Sequence, residues 1–171
     1  MKNRKYLLFL ALIVIPISWS SACASNWTYV NPLRPDISFT ISEEPASFIV
    51  IDLRQGANFC SDKSRYKCVT TEGFEFHVPR DYSASTENWT IGDSHYKVVD
   101  NYDKVSLLGI KSKLVLIEKK AAKGSSYYIY SKSRGLLGFG ASDDVRSTQG
   151  LYLLAGKCGF AAATDCLFTD K

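Results

Sequence analysis

The 171-residue chain has no proline after Pro79, only two histidines, no Cys-x-x-Cys pair and no sustained 3.6-residue apolar period. Each scarcity excludes something. Without a helical period, helices are expected to be few and short. Without Cys-x-x-Cys, the commonest source of a low-pKa redox thiolate is missing. His77 and His95 sit on separate segments, and the cysteines lack ligand spacing, so no zinc-binding pattern forms and no metal or other cofactor is expected. There is no Gly-x-Ser-x-Gly elbow to carry a nucleophilic serine. Gly135, Gly138 and Gly140 are not spaced as a phosphate-cradling loop, and read instead as a bulge or a site of close packing.

Charge of one sign is also missing once the N-terminus is set apart. Lys2, Arg4 and Lys5 precede an almost wholly apolar run at residues 6–17, and Ala22-Cys23-Ala24 offers the small residues of an export-signal cleavage site. The run is about twelve residues, short of the roughly 20 that span a bilayer as a helix. Residues 1–24 are therefore expected to be a signal peptide and residues 25–171 a single β domain. Removing the three leader cations leaves 18 basic against 17 acidic residues. That balance excludes a whole-chain case for nucleic acid.

Cys23 supports a second reading, as the lipid-attachment cysteine of a bacterial lipoprotein. Ser20 stands where that pattern prefers an aliphatic residue. The expected location is exported, periplasmic or secreted, with attachment to the outer membrane only through a lipidated Cys23. Asn26-Trp27-Thr28 and Asn88-Trp89-Thr90 match the N-glycosylation triplet, but the short lysine-rich leader leans bacterial.

The remaining four cysteines form two pairs of identical spacing, Cys60 with Cys68 and Cys158 with Cys166. Three connectivities are open to four cysteines. Local pairing is favoured because each pair looks like the shoulders of a hairpin or compact loop. Each closed ring then contributes about 2 to 3 kcal/mol through loop-closure entropy.

Strand signals fill the mature chain. Ile37, Phe39 and Ile41 alternate with polar residues, and so do Phe74, Phe76 and Val78. Residues 48–53 form a nearly continuous apolar run, expected to be a strand covered on both faces. Gly92-Asp93 suggests a tight turn between strands at 89–91 and 95–99. Further strands are expected at 105–110, 114–117, 127–130, 136–139 and 151–154, with the break between the first two at Lys111-Ser112-Lys113. Residues 26–36 read as an irregular lead-in, and 161–166 as the best helical candidate. The fold expected is all-β, a single antiparallel meander closing as a barrel or sandwich and stapled by two local disulfides.

Two clusters carry candidate chemistry. Glu75 and His77 share a strand face, where a carboxylate orients an imidazole in general-base sites; the plainer expectation is two polar residues on a wet face. Residues 104–134 hold eight basic side chains against Glu118 alone. Within that block Lys119, Lys120, Lys123, Lys132 and Arg134 lie beside Tyr128 and Tyr130, giving a candidate surface for an acidic protein or an envelope polysaccharide. The plainer reading is that alternate tyrosines pack in the core and the lysines simply solvate hairpin turns and sheet edges, where lysine keeps edges apart. No catalytic residue is assigned. The expected function is an exported β domain that binds a partner in the cell envelope or outside the cell, as an inhibitor, protective factor or adhesion-like module. Its rivals are a secreted hydrolase using His77 or His95 and a structural lipoprotein anchored through Cys23. Membrane contact is expected only in the lipidated form.

Overall fold

The computed structural model describes residues 26–107, 110–122, 124–141, 150–163 and 166. Thirteen strands run antiparallel to their neighbours: β1 (Asn26–Val30), β2 (Ser38–Glu43), β3 (Ala46–Val50), β4 (Leu53–Gly56), β5 (Asn58–Phe59), β6 (Tyr66–Thr70), β7 (Glu75–Pro79), β8 (Asn88–Ile91), β9 (Ser94–Leu107), β10 (Ile110–Ala121), β11 (Gly124–Ser131), β12 (Gly135–Ala141) and β13 (Leu151–Leu154). No α-helix occurs among the described residues, and none is long and apolar enough to cross a membrane.

Ten strands make one sheet in the order β4-β3-β2-β1-β13-β12-β11-β10-β9-β8, and β5-β6-β7 make a second. The large sheet is two meanders joined in the middle. One steps outward from β1 to β4; the other returns from β8 to β13, and β1 pairs β13 with Tyr29 opposite Leu154. The small sheet lies between them in sequence. Its inward rings, Phe74 and Phe76, meet Tyr128, Tyr130, Phe139 and Phe160. The result is sandwich-like, with β4 and β8 left as edges rather than joined into a barrel.

The core is unusually rich in rings with polar ends. Tyr29 is fully buried, yet its hydroxyl donates to the Leu136 carbonyl at 3.1 Å and accepts from the Phe160 amide at 3.3 Å. Those bonds satisfy a group whose burial would otherwise be costly. Burial also drives its pKa well above the usual tyrosine value, despite the opposing Phe160 bond.

Both expected disulfides form. Cys60, just after β5, and Cys68, within β6, bridge the β5–β6 hairpin, where the Cys60 amide donates to the Cys68 carbonyl at 3.2 Å. Cys158 and Cys166 close a loop following β13. The Gly92-Asp93 turn is also as expected, with Ile91 opposite Ser94 and Gly92 at φ 53°. Left-handed backbone at that position suits glycine.

Four expectations need correction. Residues 26–30 are not lead-in but the central strand β1, built from the strong β-formers Trp27, Thr28, Tyr29 and Val30. The apolar run at 48–53 is not one covered strand. The chain reverses at Ile51-Asp52, with Val50 opposite Leu53, and Ile51 (56% exposed, φ 54°) and Leu53 (63% exposed) face outward. A β-branched residue with positive φ is a costly turn residue, so no turn signal marked the place. Lys111, Ser112 and Lys113 lie within β10 rather than between strands, because Leu107 pairs with Ile110. Finally, 161–163 is turn and irregular chain, with Ala161 at φ 64°, while 164 and 165 fall outside the described residues.

Candidate functional site

β7 carries the polar pair singled out by sequence, and its second face is not wet. Glu75 and His77 point away from Phe76 and Val78, but His77 is only 6% exposed. The face is covered by side chains from β9 and β10. His77 Nδ1 lies 3.1 Å from the Tyr96 hydroxyl and 3.2 Å from Glu75 Oε1. An ionised carboxylate only accepts, so Nδ1 carries the proton and donates. The other carboxylate oxygen, Glu75 Oε2, accepts from Ser94 Oγ at 2.9 Å and from Lys119 Nζ at 2.6 Å. Trp89 Nε1 donates to the His77 carbonyl, and the Tyr128 hydroxyl donates to that of Glu75. Tyr96 in turn stacks flat on Trp89, centroids 5.3 Å apart.

The titration behaviour follows from this packing. Burial lowers the His77 pKa, and the Lys119 charge adds to that, against the opposing pull of Glu75. Burial alone would raise Glu75, but hydrogen bonds from Lys119 and Ser94, with the Lys119 charge, leave it below the usual carboxylate range. Both folded-state values lie below their unfolded ones, so the unfolded chain takes up protons first as pH falls. Stability is complete above neutrality and declines in two stages, through His77 below about pH 6.5 and through Glu75 below about 4.5. Urea midpoints measured at intervals from pH 8 to 3.5 are expected to fall in that pattern, and His77→Phe to remove the first stage. A flat profile from pH 7.5 to 5.5 would contradict the assignment.

The Lys119–Glu75 pair also borders a cleft of about 370 Å³ on the inner face of the large sheet. Its wall is a continuous set of rings. Phe39 meets Tyr152 at 4.3 Å and Phe48 at 5.4 Å; Phe74 meets Phe139 at 4.7 Å and stacks on Phe48 at 5.2 Å. These five rings come from β2, β3, β12, β13 and the approach to β7. Val50 and Tyr128 complete the apolar lining, and Gln55 and Ser126 add polar groups. The volume and the mix of apolar wall with few polar groups are those of small-molecule sites.

The basic block does not present itself as one surface. Lys119 is committed to Glu75, Lys120 lies 3.5 Å from Glu118, and Lys132 is exposed in the β11–β12 turn. Tyr128 and Tyr130 are core residues, 2% and 3% exposed. Arg134 is 6% exposed; its Nε donates to the Lys157 carbonyl at 2.7 Å, while its two terminal nitrogens are buried with no hydrogen-bond partner among the described residues. Lys123 and Cys23 lie outside the described residues.

His95 is exposed on the opposite face of β9 from Tyr96, with Nδ1 2.7 Å from Thr90 Oγ1, so the two histidines do not share a site. His77 does lie beside the Cys60–Cys68 disulfide, its ring nitrogen and both sulfurs within 4.8 Å of one another. Sulfurs joined in a disulfide supply no thiolate. No protein-family model matches the chain, and no curated protein or solved structure matches it.

Proposed function

We propose that the mature chain is an exported β domain that binds rather than transforms, holding a small, neutral, apolar molecule in the aromatic cleft. The observation that carries this reading is the five-ring wall of Phe39, Phe48, Phe74, Phe139 and Tyr152 around open volume. Rings in a water-exposed cleft gain by excluding water, at about 25 cal/mol per Å² covered. The charged groups at the cleft, Lys119 and Glu75, neutralise each other, which favours an uncharged occupant.

Two disulfides fit an oxidising compartment, and with the leader they support work in the periplasm or outside the cell. A hydrolytic reading gains less support. Both Glu75 oxygens are already engaged, and the partners of His77 Nδ1 are Tyr96 and Glu75 rather than a nucleophile.

Titration with the neutral fluorophore N-phenyl-1-naphthylamine is expected to give saturable enhancement. Phe39→Ala and Tyr152→Ala, both half-buried positions on the cleft wall, are each expected to weaken it about tenfold, the equivalent of about 1.4 kcal/mol. Affinity unchanged in both variants, with folding verified by thermal melts, would reject the site. Specific turnover abolished by His77→Ala would reject binding as the function.

A further inference from the structure

We infer a second, separate site, for a neutral saccharide, in the cavity framed by the two disulfides. This cavity, of about 470 Å³, lies between the Cys60–Cys68 hairpin and the Cys158–Cys166 loop, so cross-links hold two of its walls. Rigid walls lower the ordering cost of binding.

Its floor is aromatic. Trp27 on β1 meets Phe160 edge-on at 5.2 Å, and Phe59 lies 5.8 Å from the same ring. Trp27 and Phe59 are only partly buried, leaving ring surface in the cavity. The indole N–H of Trp27 makes no hydrogen bond among the described residues, which leaves a donor as well.

The rim decides the ligand's charge. Four ionisable groups border the cavity, two of each sign, but they are not equally free. Lys67 Nζ is held by the Ala162 and Ala161 carbonyls at 3.0 and 3.5 Å. Arg80 donates to the Ser64 carbonyl at 2.8 Å and the Ser61 carbonyl at 3.2 Å. The Glu43 carboxylate makes no hydrogen bond or ion pair among the described residues, and Asp62, fully exposed, has only a long 3.8 Å approach from Arg80. The uncommitted groups are thus two carboxylates that accept, with the exposed Asn26 amide beside them.

The free carboxylates accept from hydroxyl donors, and Lys67 and Arg80, held by neutral carbonyls, keep their charges, so the rim carries no net charge and favours an uncharged ligand. A pyranose ring offers both required surfaces, an aliphatic C–H face for the rings and a rim of hydroxyls for the carboxylates. An apolar molecule would leave the polar rim unpaired, and an acidic sugar would add charge to a rim whose four charges already balance. The cavity is distinct from the aromatic cleft, with no lining residue in common, so the two readings stand or fall separately.

The test is an amide and indole NMR titration of the mature protein with neutral tetrasaccharides of glucose, mannose and N-acetylglucosamine. A polygalacturonate tetramer serves as the acidic comparison. At least one neutral sugar is expected to shift the Trp27 indole signal and the amides of residues 158–162, leaving Phe39 and Tyr152 unmoved. The Glu43→Ala/Asp62→Ala variant changes only exposed side chains, so its melting temperature should hold while affinity drops tenfold or more. No shift with any neutral sugar, shifts confined to the Phe39–Tyr152 cleft, tighter binding of the acidic sugar, or full affinity in the double variant would each overturn the inference.

Discussion

Gly159→Ala is expected to abolish the native fold, giving a chain with no cooperative thermal transition and no dispersed amide spectrum. The backbone on both sides of this glycine is fixed. Its amide donates to the Arg134 carbonyl at 2.7 Å, and the Leu136 amide donates to the Phe160 carbonyl at 2.8 Å. The segment at 158–161 therefore runs against the start of β12 as a short ladder. A methyl group on Gly159 would be driven into the Leu136 backbone carbonyl, with the Leu136 nitrogen 3.2 Å away on the same side. Backbone cannot rotate aside as a side chain does. Gly135, on the other side of the contact, is similarly closed in, with φ 77° and the carbonyls of Gly159 and Phe160 where a Cβ would stand.

Yielding would mean separating the ladder and uncovering Phe160, which packs on Trp27, Phe59 and Phe76 and bonds the buried Tyr29 hydroxyl. The expected loss exceeds about 4 kcal/mol, the range reserved for backbone clashes and core disruption. Gly156→Ala is the control. Its nearest neighbour is the Leu154 side chain at 4.0 Å, and its effect should stay within about 0.5 kcal/mol. A Gly159→Ala protein that melts within a few degrees of wild type would show that the β12 ladder is not tightly held.

Glu75→Ala is the second large effect, expected to cost about 2 kcal/mol in urea denaturation. Burial sets the size of the loss. Exposed ion pairs contribute at most about 1 kcal/mol, and removing one partner of a fully buried pair costs about 3 to 5. With side-chain exposures of 12% for Lys119 and 24% for Glu75, this pair falls between the two. Glu75 also serves three donors, so the variant strands Ser94 as well as the ammonium and leaves His77 Nδ1 with the Tyr96 hydroxyl alone. Neutralising both ends, Glu75→Gln with Lys119→Met, should recover most of the loss because no unpaired charge remains. A double-mutant cycle measures the difference; coupling below about 0.5 kcal/mol would place the pair with ordinary surface bridges.

The same cluster shows how sequence and structure divide the information. Alternation placed Phe76 and Val78 on one face of β7, with Phe74 just before it on the same side, because a period of two is a property of the strand itself. It also put Glu75 and His77 together on the other face. What it could not show was that β9 and β10 cover that face, since Tyr96, Ser94 and Lys119 arrive from 19 to 44 residues away. Lys119 read as part of a candidate basic surface because its partner is distant in the chain, and Tyr128 stood between surface and core because nothing local marks which alternate tyrosines turn inward. The aromatic cleft was hidden for the same reason. Its rings are scattered over five separate segments, and each alone reads as an ordinary core residue.

The sequence by itself determined the chemistry that acts over short distances: strands throughout, the Gly92 turn, two local disulfides from paired spacing, and antiparallel order. Local backbone preference and loop-closure entropy are enough for each of these. Tertiary structure decided the rest. It made residues 26–30 the central strand that joins two meanders, turned the apolar run at Ile51, left the large sheet unclosed, and gathered distant rings into a cleft. It also brought the two disulfide loops to opposite sides of one cavity, because side chains remote in sequence become neighbours only when the two sheets pack.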